Sequence, residues 1–406
     1  MSLISMAWRN LANRRVQTII TILVVIVGVA VTQAIMMLSS GVKQGIVRAS
    51  EPFGMIVGSK GSANQLVFNT IFLMDNPLAN MDHEFYENLT KDDRVESAVP
   101  FALGDNFDGF RIVGTEPAFF DLKGRPVDPA YFHLASGRVF GQAFEAVIGA
   151  DVAKETGLKP GDTFNGAHGV AAAFEPDEHA AHPYTVVGVL SRVSAPSDRG
   201  IYVSMDSYWI NHEHEEVGAA EHEHEEKGGV TAALVKPKSY MGLMQLYQEI
   251  NQGKDAQAVL PGQVLAKLFD MIGGGEEVLR NIGYVVLGMA GLTVALALYG
   301  STVERRRNVA ILRAIGASRA AVMSIVLIES GLVMVAGCLL GAAAGYGLTV
   351  LLTDYIGAQV AIAMPIAFAW ESLSFIGAVA LIGVAAGLLP ALAAYRVETA
   401  RHLNAA

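Results

Sequence analysis

Charged residues are missing from four long stretches of this chain. Val16–Leu38, Asn281–Val303 and Ser372–Tyr395 contain no Asp, Glu, Lys or Arg, and Ala320–Thr353 contains only Glu329. A helix needs roughly 20 apolar residues to cross a hydrocarbon core of about 30 Å, and backbone deprived of water crosses lipid only as helix or closed barrel. The stretches therefore predict four transmembrane helices, at 16–38, 281–303, 320–353 and 372–395. They account for a composition that is 52% hydrophobic and 17% charged, against about 25% charged in a soluble domain. The first stretch follows Arg14 and Arg15 with no small-residue cleavage pattern behind it, so it reads as a retained anchor.

The flanks set the orientation, because Lys and Arg close to a span favour the cytoplasm. Residues 1–15 carry Arg9, Arg14 and Arg15 with no acid, and 304–319 carries Arg305, Arg306, Arg307, Arg313 and Arg319 against Glu304. The tail 396–406 adds Arg396 and Arg401, whereas the connector Asp354–Glu371 has no Lys or Arg. Both termini and the 304–319 loop are thus expected in the cytoplasm, and residues 39–280 outside.

The outer segment holds 19 basic and 34 acidic residues, a net charge of −15 within a total of −10. Alternating runs such as Tyr184–Leu190 and Ile201–Ser204 read as strands, Lys159-Pro-Gly-Asp162 as a turn, and Tyr240–Gln252 and part of Glu145–Gly157 as helices. The fold class expected is an α-helical membrane protein with four transmembrane helices and a large α+β extracytoplasmic domain inserted between helices 1 and 2. Cys338 is the only cysteine, so no intrachain disulfide braces that domain. The acidic balance argues against a nucleic-acid partner. No G-x-x-x-x-G-K-[ST] phosphate loop is present, so any ATP would be hydrolysed by another chain.

Two short elements remain on the cytoplasmic side. Leu3, Ile4, Ala7, Trp8 and Leu11 recur at helical spacing, the pattern of an interfacial helix with Trp at headgroup level. In the 304–319 loop, Val309, Ile311, Leu312 and Ile315 form an apolar stripe ended by Gly316, with Ser318 placed to cap the next helix.

The run Val303–Arg319 (VERRRNVAILRAIGASR) followed by Ile328-Glu-Ser330 resembles the signature of the MacB, FtsX and LolC/LolE group of ABC-transporter permeases. Gly387–Arg396 (GLLPALAAYR) is similar to that group's closing motif and Ala7–Leu11 (AWRNL) to its opening one. The resemblance implies a multi-pass permease of the bacterial inner membrane, working as a homodimer or pseudo-dimer with a separate cytoplasmic ABC ATPase. ATP-driven closure would then move the external domain, an action called mechanotransmission. It further implies that Arg307, Val309, Ile311, Leu312, Arg313, Ile315 and Gly316 form the helix seated on the ATPase. An extracytoplasmic binding or effector partner also fits. A regulator that activates such a partner without transport, and a lipoprotein-handling permease, stand as alternatives. The chain would have no catalytic residues and no intrinsic cofactor.

Three further features bear on function. Gly337, Gly341 and Gly345 recur at intervals of four, the spacing that lets helix backbones approach closely in lipid. Glu329, the lone charge within a span, is expected near the inner interface, paired with an arginine of 304–319. Finally, His212-Glu-His-Glu-Glu216 repeats as His222-Glu-His-Glu-Glu226 in the segment 211–227, with Glu175–His182 of the same kind upstream. Imidazole and carboxylate are ligands for Zn²⁺ and related divalent metals, which makes His212, His214, His222 and His224 candidate ligands. The other reading is a solvated acidic loop of low complexity. The scattered acids Asp105, Asp108, Asp162 and Asp198 read as surface or turn residues.

Overall fold

The computed structural model describes residues 3–124, 127–169, 182–213, 229–304, 318–360, 364–366 and 370–388. The chain divides into two compact units, one of residues 42–271 with 357–364, the other of 1–41, 272–356 and 365–406.

The second unit is helical. It contains α1 (Leu3–Asn13) and most of α2 (Arg15–Ser50), α8 (Pro261–Glu304) and α9 (Arg319–Val360), together with α10 (Trp370–Ala386). Among the described residues two helices, at Arg15–Phe53 and Ala320–Gly357, are long and apolar enough to cross a membrane; Asn281–Thr293 and Ser372–Ala385 are shorter apolar runs. Val25 and Val29 of α2 pack with Met334 and Cys338 of α9 and Phe375 and Val379 of α10. Glu329 is buried, and its Oε1 accepts a hydrogen bond from Asn10 Nδ2 at 2.6 Å. Of the loop arginines expected beside it, Arg305, Arg306, Arg307 and Arg313 lie outside the described residues, as does the side chain of Arg319.

The other unit is built on a mixed sheet of strands β1 (Met55–Ser59), β2 (Val95–Phe107), β3 (Phe110–Thr115), β4 (Leu134–Gly137), β5 (Glu145–Ile148), β6 (Thr163–Phe164), β7 (Ala167–His168), β8 (Tyr184–Leu190), β9 (Gly200–Ser204), β10 (Ala232–Pro237) and β11 (Ala256–Val259). Their order is β11-β1-β10-β2-β3-β9-β5-β8-β4, with β6 beside β8 and β7 beside β2. The β3–β9 and β5–β8 pairs are parallel and the rest antiparallel.

Successive side chains of a strand point to opposite faces, and here both faces are covered. Met55, Val57, Ile112, Ile201 and Val203 enter one core. Their neighbours Ile56, Val113 and Tyr202 enter the other. The first core is closed by α4 (His83–Thr90), α5 (Ala150–Thr156), α6 (Met205–Glu213) and α7 (Tyr240–Gln252), the second by α3 (Ala63–Phe72), the 3-10 turn Pro117–Asp121 and the start of α8. Phe119, fully buried, stacks on Tyr202 at 4.7 Å and anchors an aromatic group with Phe120 and Phe132.

The strands read at 184–190 and 201–204 and the helix at 240–252 are β8, β9 and α7. Glu145–Gly157 divides at Gly149 into a strand and a helix. Two of the acids read as surface or turn residues are buried: Asp105 and Asp198 are 0% and 1% exposed, Asp198 within the 3-10 turn Pro196–Arg199. The Asp198 carboxylate accepts backbone N–H groups of Val193 at 3.0 Å and Ser194 at 2.7 Å, which is why a carboxylate survives there. Asp162 does sit in the turn, its carboxylate accepting from Lys159 N at 2.8 Å.

Candidate functional site

The site with the most chemistry on it lies where β2, β7 and α6 meet. Strand β2 carries a bulge against β3: Leu103 pairs with Val113, but Asp105 pairs with Ile112, leaving Gly104 as the extra residue. Without it, Leu103 and Asp105 would share a face. With it, Leu103 enters the core around Phe101 and Phe119, while Asp105 faces the Ile112 side that α6 covers. Across the sheet edge, β7 places His168 directly opposite Asp105, and Nδ1 of its ring is 3.1 Å from Asp105 Oδ1.

Helix α6 supplies the third member. It leaves β9 through Ser204, whose hydroxyl accepts the N–H of Ser207. Tyr208 lies over Gly104 and Gly114, where an added Cβ would come within 2.6 Å of its Oη and 2.8 Å of its Cβ respectively. One turn on, the His212 ring stacks on Tyr208 with centroids 4.2 Å apart. Its Nδ1 is 2.7 Å from the Tyr208 carbonyl oxygen and its Nε2 is 3.3 Å from Asp105 Oδ1. A carbonyl only accepts, so Nδ1 carries the proton and Nε2 is the nitrogen turned to the carboxylate.

Donor atoms of Asp105, His168 and His212 thus lie within 4.8 Å of one another. Asp105 is fully buried, and the two rings are 23% and 29% exposed. Burial pulls the His212 pKa down, but the hydrogen bond and charge of Asp105 outweigh it and the net shift is upward. Burial, reinforced by the same carboxylate, pushes the phenols of Tyr184 and Tyr208 above their ordinary range. Two imidazoles and a carboxylate around one point can share a proton or hold a cation.

Of the candidate ligands read from the repeats, His212 is in this cluster; His214, His222 and His224 lie outside the described residues. Asp105 and His168 were not among those candidates. Nothing in Asn165-Gly-Ala-His-Gly169 signals a ligand; only the pairing of β7 with β2 brings His168 to the aspartate. The candidate ATPase-coupling residues Arg307, Val309, Ile311, Leu312, Arg313, Ile315 and Gly316 also fall outside the described residues.

The glycines at intervals of four on α9 face α2. A Cβ at Gly337 would lie 2.6 Å from Val25 Cγ1, at Gly341 2.8 Å from Val29 Cβ, and at Gly345 2.9 Å from the Ala30 carbonyl oxygen. Close backbone approach replaces side-chain packing along this seam. On α8, Gly283 meets α2 in the same way, its carbonyl oxygen 3.3 Å from Thr32 Oγ1.

A helical unit with a folded sheet domain inserted after its first long helix is the build of a membrane permease with an extramembrane domain. Residues 18–260 match the MacB-like periplasmic core domain, and residues 281–399 match the FtsX-like permease C-terminal region. The chain belongs to the MacB/FtsX family of ABC-type permeases, transporter membrane subunits whose ATPase is a partner chain. No curated protein matches it.

Proposed function

We propose that the chain is a four-span permease subunit that turns ATP hydrolysis in a separate cytoplasmic ATPase into movement of its domain outside the inner membrane. One observation carries this reading: the two helices that leave the apolar unit end in paired strands. Helix α2 is continuous from Arg15 to Ser50 and is followed by β1 from Met55, while β11 ends at Val259 and α8 starts at Pro261. β1 and β11 are neighbours, with Ile56 opposite Val259. Helices of 36 and 44 residues span about 54 and 66 Å at 1.5 Å per residue, well beyond a hydrocarbon core of about 30 Å. A shift of either helix is therefore delivered to adjoining strands of one sheet.

Lipid as the surrounding of the helical unit is supported by what it exposes. Ile19, Leu23, Val285, Met289, Leu292, Leu296, Leu339 and Leu351, on three helices, are all about half exposed or more, exposed apolar side chains of the kind that mark a membrane or partner contact. Ile4 and Trp8 of α1 are exposed as well, in keeping with an interfacial helix. The spans carry too few polar residues to line an aqueous path, which favours work done at the outer face. Two copies would stand side by side, each seated on an ATPase through Val309–Ile315.

The test is association with the ATPase. Leu312→Asp with Ile315→Asp should abolish copurification of the ATPase while the chain still inserts into the membrane. Undiminished copurification would remove the coupling role from this stripe.

A further inference from the structure

We infer that Asp105, His168 and His212 form a binding site for a divalent first-row metal, with Zn²⁺ the best match. The site belongs to the sheet domain and stands whether or not an ATPase binds the permease, so it goes beyond the coupling role.

The donor set is two imidazole nitrogens and one carboxylate. Ca²⁺ and Mg²⁺ take six or more oxygens, whereas Zn²⁺ takes three protein ligands of this kind plus a water where the site is open. Bonds of about 2.0–2.1 Å in a tetrahedron put neighbouring donors roughly 3.3 Å apart. Asp105 Oδ1 stands 3.1 Å from His168 Nδ1 and 3.3 Å from His212 Nε2.

The supporting contacts suit a metal as well. A ligating histidine usually gives its other N–H to a carbonyl or carboxylate, which fixes the tautomer and aims the ligating nitrogen. His212 does this through Nδ1 and the Tyr208 carbonyl at 2.7 Å, and the Tyr208 ring stacked on it holds its plane. Asp105 is fully buried, and buried carboxylates persist beside a countercharge or a metal. All three residues sit on regular elements, two on paired strands and one on a helix. His212 also opens the His-Glu repeats, so the fixed site is continuous in sequence with a run of further ligands.

Zinc titration of the full-length protein, purified in detergent and stripped with a chelator, tests the site. The probe is Zn²⁺ alone, read against a chromophoric competitor, with Mg²⁺ as control. In a His214→Ala, His222→Ala, His224→Ala background one equivalent of Zn²⁺ should still bind. Adding His168→Gln or Asp105→Asn should weaken it by about 10-fold or more and remove the tetrahedral absorption of bound Co²⁺. His168 is partly exposed, so His168→Gln keeps the fold and decides the matter if Asp105→Asn does not fold. Unaltered affinity in His168→Gln, or no bound Zn²⁺ in the triple-alanine background, would overturn the site. ATPase copurification is independent of either result, so failure here is distinguishable from failure of the coupling role.

Discussion

Asp105 and His168 face each other across β2 and β7, Oδ1 to Nδ1 at 3.1 Å, and the bulge at Gly104 is what turns Asp105 toward that neighbour. The arrangement depends on two glycines that leave room for Tyr208, the residue on which His212 stacks.

Gly114→Ala tests that dependence. The new Cβ would lie 2.8 Å from Tyr208 Cβ and 3.2 Å from Ala102 Cβ, atoms close to the backbone that cannot swing away. Overpacking of this kind costs about 1–3 kcal/mol. Thermal unfolding followed by circular dichroism should show the loss, and zinc affinity should fall with it because α6 is displaced.

On α9, two glycines two residues apart should behave in opposite ways. Gly345→Ala drives a Cβ to 2.9 Å from the Ala30 carbonyl oxygen and 3.1 Å from its Cα, whereas a Cβ at Gly347 meets nothing within 4 Å among the described residues. The first should destabilise the detergent-solubilised protein by about 1–3 kcal/mol. The second should be neutral or stabilise by about 0.5–1 kcal/mol through reduced backbone freedom. Equal melting temperatures for the two variants would remove the α2–α9 seam from the account.

Acid should weaken the sheet domain through Glu145. Its carboxylate is bound by both Arg138 Nη atoms, one pair at 2.7 Å, and accepts the N–H groups of Gly141 and Gln142 at 2.8 and 3.1 Å. The Arg138 hydrogen bond, helped by those N–H groups and opposed by burial, lowers its pKa from 4.5 to about 2. The folded-state value is depressed, so the stabilisation is complete above 4.5 and is lost as pH falls toward 2. The melting-temperature gap between the parent and Arg138→Ala should therefore be widest above pH 5 and close through that window. A gap that does not change with pH would contradict it.

What the sequence made legible was local. Ser239 caps α7 by accepting Gly242 N–H at 3.0 Å, and β8 alternates because one of its faces is only partly covered. The central strand β3 is buried at all six positions, so period two is invisible there. At Gly149 the change from strand to helix answers a neighbour distant in sequence, since a Cβ would come within 2.2 Å of the Asp198 carbonyl oxygen. Asp105 looked like a turn residue because its burial depends on a one-residue bulge and on a two-residue strand some sixty positions away. His212 was legible through its repeat, but its partners were not, because they are assembled by register.

In the proposed mechanism, nucleotide bound on the cytoplasmic side moves the domain outside. Cys338 is buried and is the chain's only cysteine, so Cys338→Ala leaves a background in which Lys154→Cys, at an exposed position on α5, takes a spin label. The distance between labels on the two copies would be measured by pulsed electron resonance in lipid nanodiscs with the partner ATPase, nucleotide-free and trapped with ATP. A shifted distance distribution in the ATP state is the predicted result; identical distributions in the two states would contradict mechanical coupling.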